Sequence, residues 1–437
     1  MSRSTATVAA TRMPHFSQPL HGLRGVAVLI VLLSHLGNAD MPVMPLAHHA
    51  IGKAGVWIFF ALSAFLLTRG LCTALTHARS TGQALMSYTV QRVFRIYPLY
   101  LVVLLLHGLV GNLSAAGVFE HLGLQAGRHE LWAIPVEFKY YLVIPPVVLA
   151  ARFLSRTWVT RALCALIACS FGAGLAQPDS VFSIELALLP KAIPFLAGSL
   201  LALHGFADAP PVHTHAAPPD TTPAGTAASG HRADSGQVPA RAGTHGMSGA
   251  AHAAVMRRRI RAERMRSPWV QAGLWTLLLV ATLMYRETTT RDLDIIIAAP
   301  LSLMLAAASA GLIHACLHPT WTARLLRTRP LVFMGEISFS LYLLHMFFIH
   351  AVAHLAPFLT PGQKGWLVLA VCIPVSVASY RLIEQPGIRA GKALGTCLSQ
   401  AARKAIDRLD DARLRTRRHA PPPAAGHPPS AYRHRWQ

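Results

Sequence analysis

The feature that most constrains this chain is the alternation of its apolar runs with its arginines. A helix that crosses a bilayer needs about 20 predominantly apolar residues. Ten such runs follow one another, at 22–38, 52–69, 94–111, 131–151, 160–177, 184–205, 268–285, 293–316, 331–353 and 365–383. One set of loops holds Arg3 and Arg12, then Arg69, Arg79, Arg92 and Arg95, then Arg152, Arg156 and Arg161. The same set continues with Arg232, Arg241, the run from Arg257 to Arg266, Arg324, Arg327, Arg329 and the C-terminal segment. The other set holds only Lys53, Arg128, Arg286, Arg291 and Lys364. Basic residues are retained on the cytoplasmic side, so the alternation predicts an even number of spans with both termini cytoplasmic. The expected fold is all-α, a polytopic membrane bundle of about ten transmembrane helices.

Only 13% of the residues are charged and the mean hydropathy is +0.41, whereas a soluble domain carries about 25% charged residues. A net charge of +22 would suit a nucleic-acid partner on a soluble basic face. Here the arginines lie between hydrophobic runs, so the lipid bilayer is the expected partner and nucleic acid is not. The six cysteines show no metal spacing and fall mostly within apolar runs, where a thiol behaves as a small hydrophobe; no metal site is expected. The first run is followed by no A-x-A-like cleavage site and is read as a retained membrane helix.

The membrane region is expected in two parts, 1–206 and 268–390, separated by a cytoplasmic insert at 207–267 and followed by a basic cytoplasmic tail at 391–437. The insert is rich in Ala, Pro, Gly, Thr and His; it cannot bury a core and is expected to be disordered. The irregular spacing of His213, His215, His231, His245 and His252 reads as a solvated spacer rather than a metal site. Its basic end, 256–266, suits anionic lipid headgroups. Within the tail, Leu398, Ala402, Ile406, Leu409 and Leu414 recur at helical spacing among basic residues, which predicts a helix on the inner membrane surface. Residues 420–437 are Pro- and His-rich and are expected to be disordered.

With this organisation the chemistry belongs in the membrane region. The run from Leu20 to Leu36 contains Arg24 and His35, about three helical turns and roughly 16 Å apart and nearly on one face. Ionisable groups within an apolar span are costly and usually functional, although snorkelling explains Arg24 and core packing explains His35 equally well for the pair alone. In the second run Ser63 stands among small residues without a base adjacent in sequence, which favours helix packing over a nucleophile. Arg92 and Arg95 share a helix face at the cytoplasmic start of the third run and suit a multiply phosphorylated ligand, a lipid headgroup or simple topological bias. Glu137 lies inside the fourth run and needs an arginine or histidine partner from another span, because Lys139 points elsewhere. His345 is a further intramembrane histidine, and Arg381 and Glu384 are i, i+3 neighbours able to pair at the end of the last run.

In this order the motifs resemble the acyltransferase-3 family of integral membrane acyltransferases, which acylate sugars and other cell-envelope acceptors. The family's D-G-L-R-G and following histidine are similar to His21–Gly25 with His35, and its G-V-D-x-F-F-V-L-S-G-F-L to Gly55–Leu66. Its R-x-x-R-I-Y-P resembles Arg92–Pro98, its W-S-L-S-x-E-E-x-F-Y Trp132–Tyr141, its I-S-Y-S-L-Y-L-x-H Ile337–His345, and its R-x-I-E-x-P Arg381–Pro386. The chain departs from the pattern at His21 and Trp57, each in place of Asp, at Ala64 in place of Gly, at Ala133-Ile134-Pro135 in place of Ser-Leu-Ser, and at Phe138 in place of the second Glu.

The resemblance implies a protein of the bacterial inner membrane. It would move an acyl group, acetyl first among them, from cytoplasmic acyl-CoA to a hydroxyl of a glycan or lipid-linked saccharide. It implies Arg92 and Arg95 on the phosphates of the donor and Arg24 near the pantetheine entrance. It implies His35 as general base or transient acyl carrier, Glu137 as the carboxylate that orients it, and Trp132, Tyr141 and His345 on the acceptor. Two readings from other classes stay open. A secondary transporter with an Arg/His/Glu relay should show two repeated halves, and residues 184–390 hold no repeat of the Arg24–His35 pattern. An inactive scaffold is suggested by His21 and Phe138.

Overall fold

The computed structural model describes residues 17–43, 51–78, 80–127, 129–182, 186–206, 260, 263–290 and 294–419. The expected disorder of the insert (apart from 260 and 263–267) and of 420–437 lies outside the described residues. Every regular element among the described residues is helical, and the molecule is an all-α polytopic bundle.

In chain order the helices are α1 (Ser17–Asn38), α2 (Gly52–His77), α3 (Thr81–Leu109), α4 (Ala115–Leu122), α5 (Ala133–Phe153), α6 (Arg156–Ala176), α7 (Pro178–Phe182) and α8 (Ala192–Phe206). They continue as α9 (Pro268–Thr290), α10 (Asp294–Cys316), α11 (Trp321–Leu326), α12 (Arg329–Glu336), α13 (Ser338–Leu355), α14 (Pro361–Ser379) and α15 (Gln385–His419). Among the described residues eight helical segments are long and apolar enough to cross a membrane: Gln18–Asn38, Gly52–His77, Thr81–Leu109, Glu130–Phe153, Arg156–Ala176, Ile297–Cys316, Ser338–Leu355 and Pro361–Lys404. Shorter apolar helices, Leu189–His204 and Pro268–Met284, occupy the other two predicted runs.

The second and third helices extend beyond their predicted runs, to His77 and back to Thr81, and two further runs are broken for local reasons. The run at 184–205 yields only α8, preceded by a 3-10 turn at Leu189–Lys191. Pro190 lacks an amide hydrogen and stands in the first turn of that short element, the position where the missing donor costs least. The run at 331–353 divides into α12 and α13 at Ile337. There the hydroxyl of Ser338 donates to the Gly335 carbonyl at 2.8 Å, a local bond that competes with helix continuation.

The chain divides into two units, Met1–Cys72 with Val103–Ala378, and Thr73–Val102 with Ser379–Gln437. In the first, α1 is the central element. Leu20, Leu23, Ala27, Val28, Val31, Leu32 and Leu36 are all buried, and its neighbours include α12, α13, α11 and α2. Glycines make that approach possible. A Cβ on Gly22 would stand 1.8 Å from the Leu326 carbonyl oxygen, one on Gly25 2.1 Å from that of Leu331, and one on Gly335 1.8 Å from that of His21. Helices in lipid associate by such close backbone packing, so the glycines on either side of Arg24 are interface residues. The core is completed by α2, whose fully buried Trp57 donates its indole N–H to Ser302 at 2.9 Å. Trp57, which replaces the acid of the family pattern, is therefore satisfied by a neutral partner on α10.

In the second unit α15 runs antiparallel to the first part of α3. Gly387, Gly391 and Gly395 recur every fourth residue on one face and lie against Phe94 and Pro98, Gln91 and Phe94, and Ser87 respectively. A π-helical turn at Tyr380–Glu384 precedes α15.

Candidate active site

His35 and His345 meet. His35 sits in the last turn of α1 and His345 in the middle of α13, where it is buried at 1% exposure. His345 Nε2 and His35 Nδ1 are 3.2 Å apart, with ring centroids at 4.9 Å. The hydrogen-bond partners assign the tautomers. His345 Nδ1 lies 2.7 Å from the Tyr342 carbonyl oxygen, which can only accept, so Nδ1 carries the hydrogen and Nε2 of the neutral ring holds the lone pair. His35 Nδ1 lies 2.9 Å from the Val31 carbonyl oxygen, and its hydrogen is shared between that oxygen and His345 Nε2. The basic nitrogen of a neutral His35 is then Nε2. A histidine backed at Nδ1 by an acceptor, with its Nε2 basic, is the arrangement of a general base with an orienting partner. In this site the acceptor is a second imidazole.

Glu137 is placed in a different chain of contacts. Its Oε1 accepts a 2.6 Å hydrogen bond from the Tyr141 hydroxyl one turn further along α5. That hydroxyl lies 3.2 Å from Ser63 Oγ on α2. Because Tyr141 gives its hydrogen to Glu137, Ser63 is the donor in the second contact. A serine read from sequence as packing thus belongs to a Ser63–Tyr141–Glu137 chain. Trp132 is buried at 3% exposure. The Lys53 and Lys191 ammonium groups stand 4.5 and 5.8 Å from its ring centre, and the Phe60 ring meets it edge-on at 5.9 Å. Lys53, read from sequence as a loop charge, begins α2 and donates to the Phe182 carbonyl; Lys191 donates to that of Ser180.

Arg24 lies in α1 and is half-buried between the interface glycines. Arg92 and Arg95 belong to the second unit. There Arg95 pairs with Glu384 at 3.5 Å, and the carboxylate is 1% exposed. The i, i+3 pairing considered for Arg381 and Glu384 gives way to this one, because the π-helical turn presents Glu384 inward and leaves Arg381 exposed.

A further pair is not singled out by the sequence. His107, near the end of α3, and Glu130, in the 3-10 turn His129–Trp132, are 4% and 3% exposed, and their Nε2 and Oε1 atoms stand 3.8 Å apart. Both are ionisable residues within or at the edge of an apolar run, a signal that marks function by default.

The described residues show no group of three metal-ligating side chains. In the comparison with known families, the acyltransferase-3 model, described as an acyltransferase domain, matches residues 19–218 and 250–381. The chain belongs to the acyltransferase-3 family. It is a membrane acyltransferase whose family match is interrupted only within the insert. No curated protein and no solved structure matches it.

Proposed function

We propose that this acyltransferase moves an acyl group, in the first instance acetyl, from cytoplasmic acyl-CoA to a hydroxyl of an envelope glycan or lipid-linked saccharide. The observation that carries the reading is the His35–His345 contact, which leaves Nε2 of His35 as the basic nitrogen. In the reaction His35 Nε2 takes the acceptor hydroxyl's proton as the oxygen attacks the thioester carbonyl. The tetrahedral adduct collapses with cleavage of the C–S bond, and the proton on Nε2 passes to the departing thiolate. Each turnover yields an ester and free CoA, and His35 returns to its neutral state. His345 accepts from Nδ1–H throughout, holding the ring in register and stabilising the imidazolium.

Arg92 and Arg95 would bind the donor's phosphates, for which a planar, permanently charged fork is suited. Arg24 would stand at the pantetheine entrance, with about 16 Å of α1 between it and His35 for the thioester arm to cover. Glu137 would act through Tyr141 and Ser63, and Trp132 and Tyr141 would shape the acceptor end. The loop charges support an orientation with both termini in the cytoplasm of a bacterial inner membrane. The test is to supply radiolabelled acetyl-CoA to membrane vesicles containing the protein and to follow CoA release together with label in the saccharide fraction. Coupled appearance of both is expected; CoA release without labelled saccharide would refute the glycan acceptor.

A further inference from the structure

Glu130 and His107 are an expensive feature. An acid and an imidazole buried in a membrane segment lose their hydration, and such groups are retained there at a cost that usually marks a function. What they touch suggests their use. The Glu130 carboxylate faces His107 of α3 at 3.8 Å. The Glu130 carbonyl accepts a 2.8 Å hydrogen bond from the Tyr342 hydroxyl on α13. The His107 ring meets Phe347, also on α13, edge-on at 5.8 Å between centroids. Tyr342 and Phe347 stand three residues before and two residues after His345, and the Tyr342 carbonyl is the acceptor that fixes the His345 tautomer. The main chain of Glu130 and the ring of His107 thus hold α13 on both sides of the histidine that backs His35, and the side-chain contact of the pair ties the two holds together.

We infer that the Glu130–His107 pair is a positioning device for His345, gripping α13 at Tyr342 and Phe347 so that His345 Nε2 stays in reach of His35 Nδ1. The inference rests on the reading of His35 as the base. A side chain about 5–6 Å from the helix axis moves roughly 1 Å when its helix turns by about 10°. A displacement of that size takes the 3.2 Å contact beyond hydrogen-bonding range. Misplacement of about 1 Å originating away from the chemistry can cost on the order of a hundredfold in rate.

The test is a double-mutant cycle on acyl transfer in membrane vesicles, with abundance measured in parallel. Tyr342→Phe removes one hydroxyl and preserves shape; Glu130→Ala removes the carboxylate. Each is expected to lower kcat about ten- to a hundredfold with the acyl-CoA KM within about twofold of wild type. On a His345→Ala background neither should lower kcat by more than about a further twofold, because what they position is already gone. Independent structural damage would multiply with the loss from His345→Ala. Should Glu130→Ala fail to accumulate, Glu130→Gln takes its place in the cycle, since it keeps the shape and removes the acid; a wild-type kcat in it overturns the inference. Wild-type kcat in Tyr342→Phe, or the same loss with and without His345, overturns the inference. If wild-type protein turns over acyl-CoA and His345→Ala is impaired in those outcomes, only the positioning role is lost. If wild-type protein releases no CoA, the underlying functional reading fails.

Discussion

At the scale of single residues the site is organised by what each polar atom can accept or donate. His35 is visible in the sequence as an ionisable group at a fixed distance from Arg24, and the tautomer that leaves its Nε2 with the lone pair comes from two carbonyls and a second imidazole. That partner, His345, lies 310 positions away, a juxtaposition that no local pattern encodes. It raises the expectation for His345→Ala from the mild loss that packing or an acceptor contact would give to about ten- to a hundredfold in kcat, read by steady-state CoA release. Arg24→Lys is expected to restore little of the activity lost in Arg24→Ala, since a point charge lacks the planar fork; near-complete restoration would reduce Arg24 to a snorkelling cation. Glu137 is legible as an intramembrane acid, but the sequence shows the tyrosine that holds it, one helical turn on, only as part of a motif.

At the scale of elements the glycines of the first motif acquire a physical meaning. Gly22, Gly25 and Gly335 let α1 meet α11 and α12 backbone to backbone, which places His35 where α13 can reach it. Gly335→Val puts branched carbon where even a lone Cβ would stand 1.8 Å from the His21 carbonyl oxygen. The helices must separate, and about 1–3 kcal/mol of stability should be lost, seen as a lower midpoint in thermal unfolding of the detergent-purified protein. An unchanged midpoint would mean that the interface yields easily. The stripe at Gly387, Gly391 and Gly395 is hard to see in a tail dominated by its charges. Helix existence is readable from apolar run length, whereas the division at Ile337 and the short α8 depend on single bonds and single prolines.

At the scale of the whole molecule, hydropathy and loop charge are enough to read an all-α polytopic bundle, because a backbone in lipid has few other ways to satisfy its hydrogen bonds. The orientation makes a direct prediction: a topology reporter after Gln237 should score cytoplasmic and one after Arg128 periplasmic, and a periplasmic score at Gln237 would contradict the loop-charge argument. The family match omits residues 219–249. Replacement of 219–249 by a short Gly/Ser linker should therefore leave turnover within a few-fold; complete loss in a well-expressed protein would assign the insert a binding role. The buried His107–Glu130 pair is not legible in the sequence because each residue stands alone in its own run, and only the assembled bundle brings them to 3.8 Å.

The central claim is that His35 is the base for acyl transfer from acyl-CoA. It is tested most directly by comparing radiolabelled acetyl-CoA turnover in vesicles holding equal amounts of wild-type and His35→Ala protein. The account predicts a rate lower by about 10²–10⁴ in the variant, with membrane insertion unchanged. Turnover near the wild-type rate in the variant would contradict it.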